Sequence, residues 1–321
     1  MSTENERGVD VVVIGGGAAG LSGALVLARA RRSVVVIDAG QPRNAPAAGV
    51  HGFLTREGTP PAELLATGRA EVEGYGGRIV RGEVTTARRT EEGFELVLAD
   101  GSSIRARRLL VATGLVDELP EVPGVRELWG GDVVHCPYCH GWEIRDRAVG
   151  VLGTGAMSVH QALLFRQWTP DLVYFTHQAP EPTSEQAEQL AARGIRVVTD
   201  PVTELVVERG RLVGVRLADG SAVRRDAVAV ATRMIARSGV LADLGLSPAE
   251  FPMNMGEFVG ADPTGLTAVP GVWVAGNVTE LHAQVITAAA AGVRVGAQIN
   301  ADLVEEDTRR AVAEHRRSLS I

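Results

Sequence analysis

Residues 9–20 read Val9-Asp10-Val11-Val12-Val13-Ile14-Gly15-Gly16-Gly17-Ala18-Ala19-Gly20, an apolar run that stops in glycines and small residues. A short apolar run bounded by glycine predicts a buried strand, and the small residues from Leu21 to Ala30 predict a helix. A second apolar run, Ser33 to Ile37, ends at Asp38, 23 residues after Gly15. Strand, glycine turn, helix, strand and acidic residue at that spacing form the pattern of a βαβ unit that holds a dinucleotide. In it Gly15 permits the tight turn, Gly17 lets the backbone approach a pyrophosphate, and Gly20 lets the helix pack closely on the strand. Asp38 is placed for a ribose hydroxyl, and free N–H groups at the helix start face the phosphates.

The unit recurs. Ala148 to Leu152 is apolar, Gly153-Thr154-Gly155 follows, and Ala156 to Trp168 predicts a helix leading to a strand at Leu172 to Phe175. Each copy then runs into the same signature: Leu98-Ala99-Asp100-Gly101-Ser102 in the first, Leu217-Ala218-Asp219-Gly220-Ser221 in the second. Asp100 precedes Ala112-Thr113 by 12 residues, and Asp219 precedes Ala231-Thr232 by 12. The Asp-Gly pairs suit hairpin turns. Each copy therefore reads as a parallel dinucleotide-binding sheet carrying an antiparallel meander. Gly271 to Val274 predicts a further short strand, closed by Ala275-Gly276-Asn277 and a small-residue helix from about His282 to Leu303. The expected fold is α/β, two Rossmann-like three-layer domains. The first is discontinuous, residues 1–119 and 239–321, and the second, 120–238, is inserted through Gly- and Pro-containing crossings.

A length of 321 residues with 45% hydrophobic side chains suffices for two ordinary cores. The net charge of −7 argues against a nucleic-acid or anionic-membrane surface, which needs a basic surplus. All 32 basic residues are Arg, so no phosphate-binding or Schiff-base lysine exists. The polar start, Met1 to Asp10, lacks the features of a secretory signal, and no apolar run is long enough to span a membrane. A cytoplasmic protein is expected.

The chemistry is expected at His135-Cys136-Pro137-Tyr138-Cys139-His140-Gly141-Trp142-Glu143, which holds both cysteines of the chain. A CxxC brings two sulfurs within disulfide reach, and a helix start can lower a thiol pKa. The spacing does not suit zinc, because adjacent residues such as His135 and Cys136 rarely aim both side chains at one metal and no second CxxC exists. No metal is expected. A purely structural disulfide is out of place in a reducing compartment.

Two dinucleotide domains with CxxC at the head of the second resemble the low-molecular-weight thioredoxin reductases over nearly the whole chain. The resemblance implies FAD held by Gly15, Gly17, Ala18, Ala19, Gly20, Asp38, Ala39, Arg43, Asn44, His51, Val84 and the Ala112-Thr113-Gly114 turn. It adds the run from Ala275 to Ala288 with Gly276, Asn277, Gln284 and Val285. It also implies that Cys139 faces the flavin, that Cys136 is the outer, interchange thiol, and that the chain forms a homodimer, for which the small-residue C-terminal helix is a further motive. The family usually has an aspartate after the second cysteine. Here stands His140, whose ordinary pKa suits it to accept as well as donate a proton near neutrality, although a packing role is open to it.

Other departures bear on the electron donor. Members that use NADPH hold its 2′-phosphate with a histidine and paired arginines after the second domain's second strand. This chain has Phe175-Thr176-His177-Gln178-Ala179-Pro180 there, and Ser158, His160 and Gln161 depart from the usual helix. Without Arg the strong charge-assisted phosphate contacts are forfeited. A reductase body with CPYCHGWE and an impaired nicotinamide site is similar to the dithiol oxidases of the gliotoxin and holomycin type. That similarity implies electron flow from a small-molecule dithiol to the cysteines, to FAD and to oxygen, with hydrogen peroxide released. His51 and His135 are candidates for the proton relay or for packing and FAD contact. The alternatives are a disulfide reductase driven by NAD(P)H or ferredoxin, and a non-enzymatic flavin redox sensor.

Overall fold

The structure is a computed structural model and describes residues 8–320. Its largest sheet has seven strands, six of them in the order Arg78–Arg81, Val34–Asp38, Val9–Ile14, Ser103–Val111, Gly93–Leu98, Val84–Thr90, with Val272–Val274 also on Ser103–Val111. Ser103–Val111 changes partner along its length. Residues 103–106 pair antiparallel with the meander, and 109–111 pair in parallel with Val272–Val274. The chain thus returns after residue 270 to complete its first sheet. The valines at 11, 12 and 13 are fully buried because both faces of this parallel sheet are covered.

The second sheet is wholly parallel, in the order Arg196–Val198, Leu172–Phe175, Val149–Leu152, Ala227–Val230, Val133–Val134. Its meander, Val202–Glu208, Arg211–Leu217 and Ala222–Val223, forms a separate three-stranded sheet. The repeated signature closes identically in both copies. Leu98 N–H donates to Ser102 C=O at 2.9 Å and Leu217 N–H to Ser221 C=O at 2.9 Å, while Asp100 and Asp219 each accept the serine N–H two residues on. The two crossings lie side by side: Leu115–Glu118 pairs antiparallel with Arg233–Ala236.

Two helices join the first sheet's face. The first glycine helix is Ala18–Arg29, beginning three residues earlier than the apolar pattern indicates because Gly17 serves as its N-cap. The C-terminal helix is Val285–Ser318, not 282–303. Its start is delayed because the Asn277 side-chain amide donates to the carbonyls of Glu280, Leu281 and Ala283, holding 279–283 in a loop. Its second half carries no apolar period to read. Ion pairs hold it instead, among them Arg108 to Asp302 and Glu306, and Arg32 and Arg107 to Asp307. Where the helices cross, a Cβ on Gly292 would stand 2.0 Å from the Ala19 carbonyl oxygen. Gly292 and Gly296 are therefore spent inside the chain, against the first glycine helix. The helix between Ala156 and Trp168 is shorter than its pattern, Ser158–Phe165, with turns at both ends. Among the described residues no helix is long and apolar enough to cross a membrane.

Candidate active site

The end of Val9–Ile14 turns at Gly15 with φ +106°, where a Cβ would meet the Ala112 carbonyl oxygen at 2.4 Å; only glycine fits. Gly20 is equally constrained, its Cβ falling 1.9 Å from the Gly15 carbonyl oxygen. Gly20 therefore packs the helix on the turn and does not line the cavity beyond. Gly17 has open space around it, and the helix's first-turn N–H groups, which lack intrahelical acceptors, open there with Ala18 and Ala19. Asp38, at the end of the next strand, accepts from Gly16 N–H and Gly40 N–H, each at 3.2 Å. Gly16, absent from the expected cofactor set, is thus part of the turn's geometry.

These groups form one wall of a cavity of about 1200 Å³. Ala39, Arg43, Asn44 and His51 line it from the loop after Val34–Asp38, Val84 from the start of its strand, and the Ala112-Thr113-Gly114 turn from the end of Ser103–Val111. Gly276, Asn277, Gln284 and Val285 line it from the returning segment. Cys136, Cys139 and His140 stand on the same cavity. The donor turn, the acidic residue and the room fit a dinucleotide such as FAD, and the cysteines share its space.

The cysteines share a single helical turn, Pro137–His140, with Cys136 as its N-cap and Cys139 within it. The Cys139 thiol donates to Cys136 Sγ at 2.6 Å. That bond, opposed by burial and assisted by the Cys139 and Tyr138 N–H groups, lowers the Cys136 thiol to about 7. The same bond and burial push Cys139 strongly upward. The pair is thus poised with its proton on Cys139 and its nucleophile on Cys136.

His140 is half-buried, and its Nδ1 is buried with no hydrogen-bond partner among the described residues. Burial holds its pKa below the ordinary histidine range, against the charge of Glu143. His135 is pinned by its Nδ1 to the Val230 carbonyl at 3.1 Å, and burial lowers it too. His51 meets Glu57 and Glu143 instead of a cysteine.

Arg43, read as a cofactor residue, makes a bidentate pair with Asp117 at 2.6 and 2.7 Å, and Thr232 Oγ1 donates to the same carboxylate. Burial pulls the Asp117 pKa upward, but Arg43 holds it below the ordinary range. This ties a loop after the first βα unit to both crossings. Asp117 carries no motif and could be found only in three dimensions. Gln161 is buried and donates to the His135 carbonyl at 2.9 Å.

The second glycine turn differs from the first. Ser158 Oγ accepts the N–H groups of Thr154 at 3.0 Å and Gly155 at 3.2 Å. The segment after Leu172–Phe175 folds back over Gly153, with Gln178 N–H donating to the Gly153 carbonyl at 3.1 Å. His177 is turned inward, its Nδ1 accepting from Val202 N–H at 3.2 Å.

A family model described as pyridine nucleotide-disulphide oxidoreductase matches residues 9–292. Thioredoxin reductase tcpT of Claviceps purpurea is 35% identical over 318 residues, 94% of this chain and 97% of that protein. Thioredoxin reductase sirT of Leptosphaeria maculans is 28% identical over 91% of this chain and 93% of that protein. Among solved structures, HlmI shares 48% identity at a TM-score of 0.91, covering 97% of this chain and 98% of that one. An oxidoreductase from Agrobacterium tumefaciens shares 35% at 0.87, covering 93% and 99%.

Proposed function

The chain belongs to the pyridine nucleotide-disulphide oxidoreductase family, in its thioredoxin reductase-like branch, and on that premise we propose that it is a dithiol oxidase. Members of this branch are FAD-binding flavoproteins, and the glycine cradle beside the cysteines fits that cofactor. The observation that carries the proposal is the second glycine turn, whose Thr154 and Gly155 N–H groups are taken by Ser158. No arginine stands in residues 176–180 to replace them. Loss of two charge-assisted contacts, at roughly 1.5 to 3 kcal/mol each, weakens NADPH binding by about two to four powers of ten. A dithiol needs only access to the cysteine pair and a base.

In the proposed cycle, one thiol of a small-molecule dithiol gives its proton to His140 and attacks Cys136 of the oxidised pair, and Cys139 leaves. The second substrate thiol then gives its proton to the Cys139 thiolate and displaces Cys136. The substrate departs as a disulfide, and the enzyme pair holds two electrons. Bound FAD would supply the two-electron exchange between that pair and oxygen, which takes the Cys139 proton and one from solvent and leaves as hydrogen peroxide. A histidine at 140 serves this direction better than an aspartate, which is already ionised at neutral pH and a weak base. A depressed pKa keeps His140 neutral and ready to accept.

We assign the cradle to residues 1–119 and 239–321 and the cysteine pair to the inserted 120–238, in a cytoplasmic homodimer. The test is anaerobic stopped flow on the FAD-loaded enzyme. Bleaching of the flavin band by a dithiol, with peroxide appearing on admission of oxygen, supports the oxidase. Rapid bleaching by NADPH and none by any dithiol restores the reductase that the names of several relatives suggest.

A further inference from the structure

A dithiol surrenders two protons on oxidation, and His140 can hold only one. With the nucleophile on Cys136 and the proton on Cys139, the reduced pair keeps one proton, and the one taken by His140 must pass on before His140 can act as a base again; a proton returns from solvent when oxygen leaves as hydrogen peroxide. The protein around His140 provides a path. Val50 and Thr59 pair antiparallel and close a loop that carries His51 and Glu57. Glu57 accepts from Gly52 N–H at 2.9 Å and meets His51 Nδ1 at 2.6 Å. His51 Nε2 faces Glu143 Oε1 at 3.5 Å. Glu143 follows His140 by three residues in a helical turn continued by the Ile144 N–H to His140 C=O bond at 3.3 Å, so the two side chains are neighbours on one face. His51 and His140 line the cavity, whereas Glu57 is exposed to solvent.

We propose that Glu143, His51 and Glu57 form the proton outlet of His140, carrying one proton per dithiol from the cysteine pair to solvent. The proposal rests on the oxidase reading. In the step it serves, the S–S bond of the enzyme breaks and that of the substrate forms. Two electrons pass to the enzyme pair, one proton stays on Cys139, and one goes through His140 to the outlet. An imidazole can pass a proton by accepting at one nitrogen and releasing from the other, and His51 has a carboxylate at each. The charged and titratable groups acting on His140 are Glu143 from its own turn, His51 from the loop, and His135 from before the cysteines. Of these only Glu143 favours a held proton, so an outlet beyond it relieves the site.

The experiment uses the FAD-loaded enzyme, dithiothreitol as the probe dithiol, and anaerobic stopped flow in weak buffer with a pH indicator. In the wild type, proton release keeps pace with bleaching of the flavin. Glu57→Gln, which leaves the cavity wall untouched, should slow both by on the order of tenfold or more, with flavin content unchanged. His51→Ala should do the same and recover with added imidazole. Wild-type rates in Glu57→Gln overturn the outlet and leave the oxidase standing. Slowing in His51→Ala that imidazole does not relieve marks a packing role and overturns it as well. If dithiothreitol fails to bleach the wild type, the oxidase reading falls and the outlet falls with it.

Discussion

Ser158 Oγ sits 3.0 Å from the Thr154 amide nitrogen and accepts its hydrogen bond, so the second glycine turn carries its own ligand. In the first glycine turn the position of Ser158 is held by Gly20, which has no side chain; the Gly16 N–H is taken by Asp38 instead, and Gly17 stands in open space where the helix begins. One chain thus holds two copies of a glycine turn that differ in what takes their N–H groups, a carboxylate in the first and a hydroxyl in the second.

Ser158→Ala should uncover both N–H groups without creating a nicotinamide site, since the cation for the 2′-phosphate is still missing. The variant is expected to lose about 1 to 2 kcal/mol of stability by urea denaturation. NADPH should still fail to bleach its flavin. Rapid NADPH reduction in this variant would show that Ser158 alone closes the site.

Cys136→Ser and Cys139→Ser should each abolish dithiol turnover while flavin stays bound. In the reduced wild type, iodoacetamide should modify Cys136 with a rate that rises with pH and is half-maximal near its value of about 7. Cys139, held protonated by its bond to Cys136 and by burial, should resist. Mass mapping of the alkylated peptide decides between them, and preferential labelling of Cys139 would reverse the assigned roles.

Stability should fall as pH drops from 7.5 to 5.5. His135 and His140 both have pKa values lowered by burial in the folded chain, whereas unfolded histidines titrate at about 6.5. The unfolded state therefore binds more protons below about 6.5, and stability is full above that value and lost beneath it. Urea midpoints measured across this window should show the decline, and His135→Gln should flatten it. A pH-independent midpoint would contradict the buried, neutral histidines.

The C-terminal helix presents Ile286, Ala290, Val293, Ala297, Ala301 and Val304 to solvent at spacings of three and four, an apolar seam on the side away from the first glycine helix. If two copies meet through this face, Val293→Arg with Val304→Arg should yield a monomer by light scattering at micromolar concentration. A wild type that is already monomeric would remove the homodimer.

Crowding makes Gly292 the most sensitive position of that helix. Gly292→Ala drives a methyl group into the Ala19 carbonyl and should cost about 2 to 3 kcal/mol, read as a lower urea midpoint and loss of flavin on gel filtration. Unchanged stability and flavin content would mean that the helices can part.

The repeated βαβ unit, the meander signature and the cysteine pair were all legible before any coordinates. These rest on local rules: apolar runs fix strands, glycine fixes turns of positive φ, and three residues fix the reach between two sulfurs. The sequence also exposed the missing cations after Phe175, since an absent side chain is visible without coordinates. The remaining features emerge only when the chain is folded. That Arg43 pairs with Asp117, that Ser158 reaches back to two amides, and that His51 lies between Glu57 and Glu143 depend on where loops meet, and no periodicity encodes it. The C-terminal helix shows the boundary within one element. Its first half was legible because burial imposes an apolar period, while its second half, held by arginines from other strands, had no pattern of its own to read.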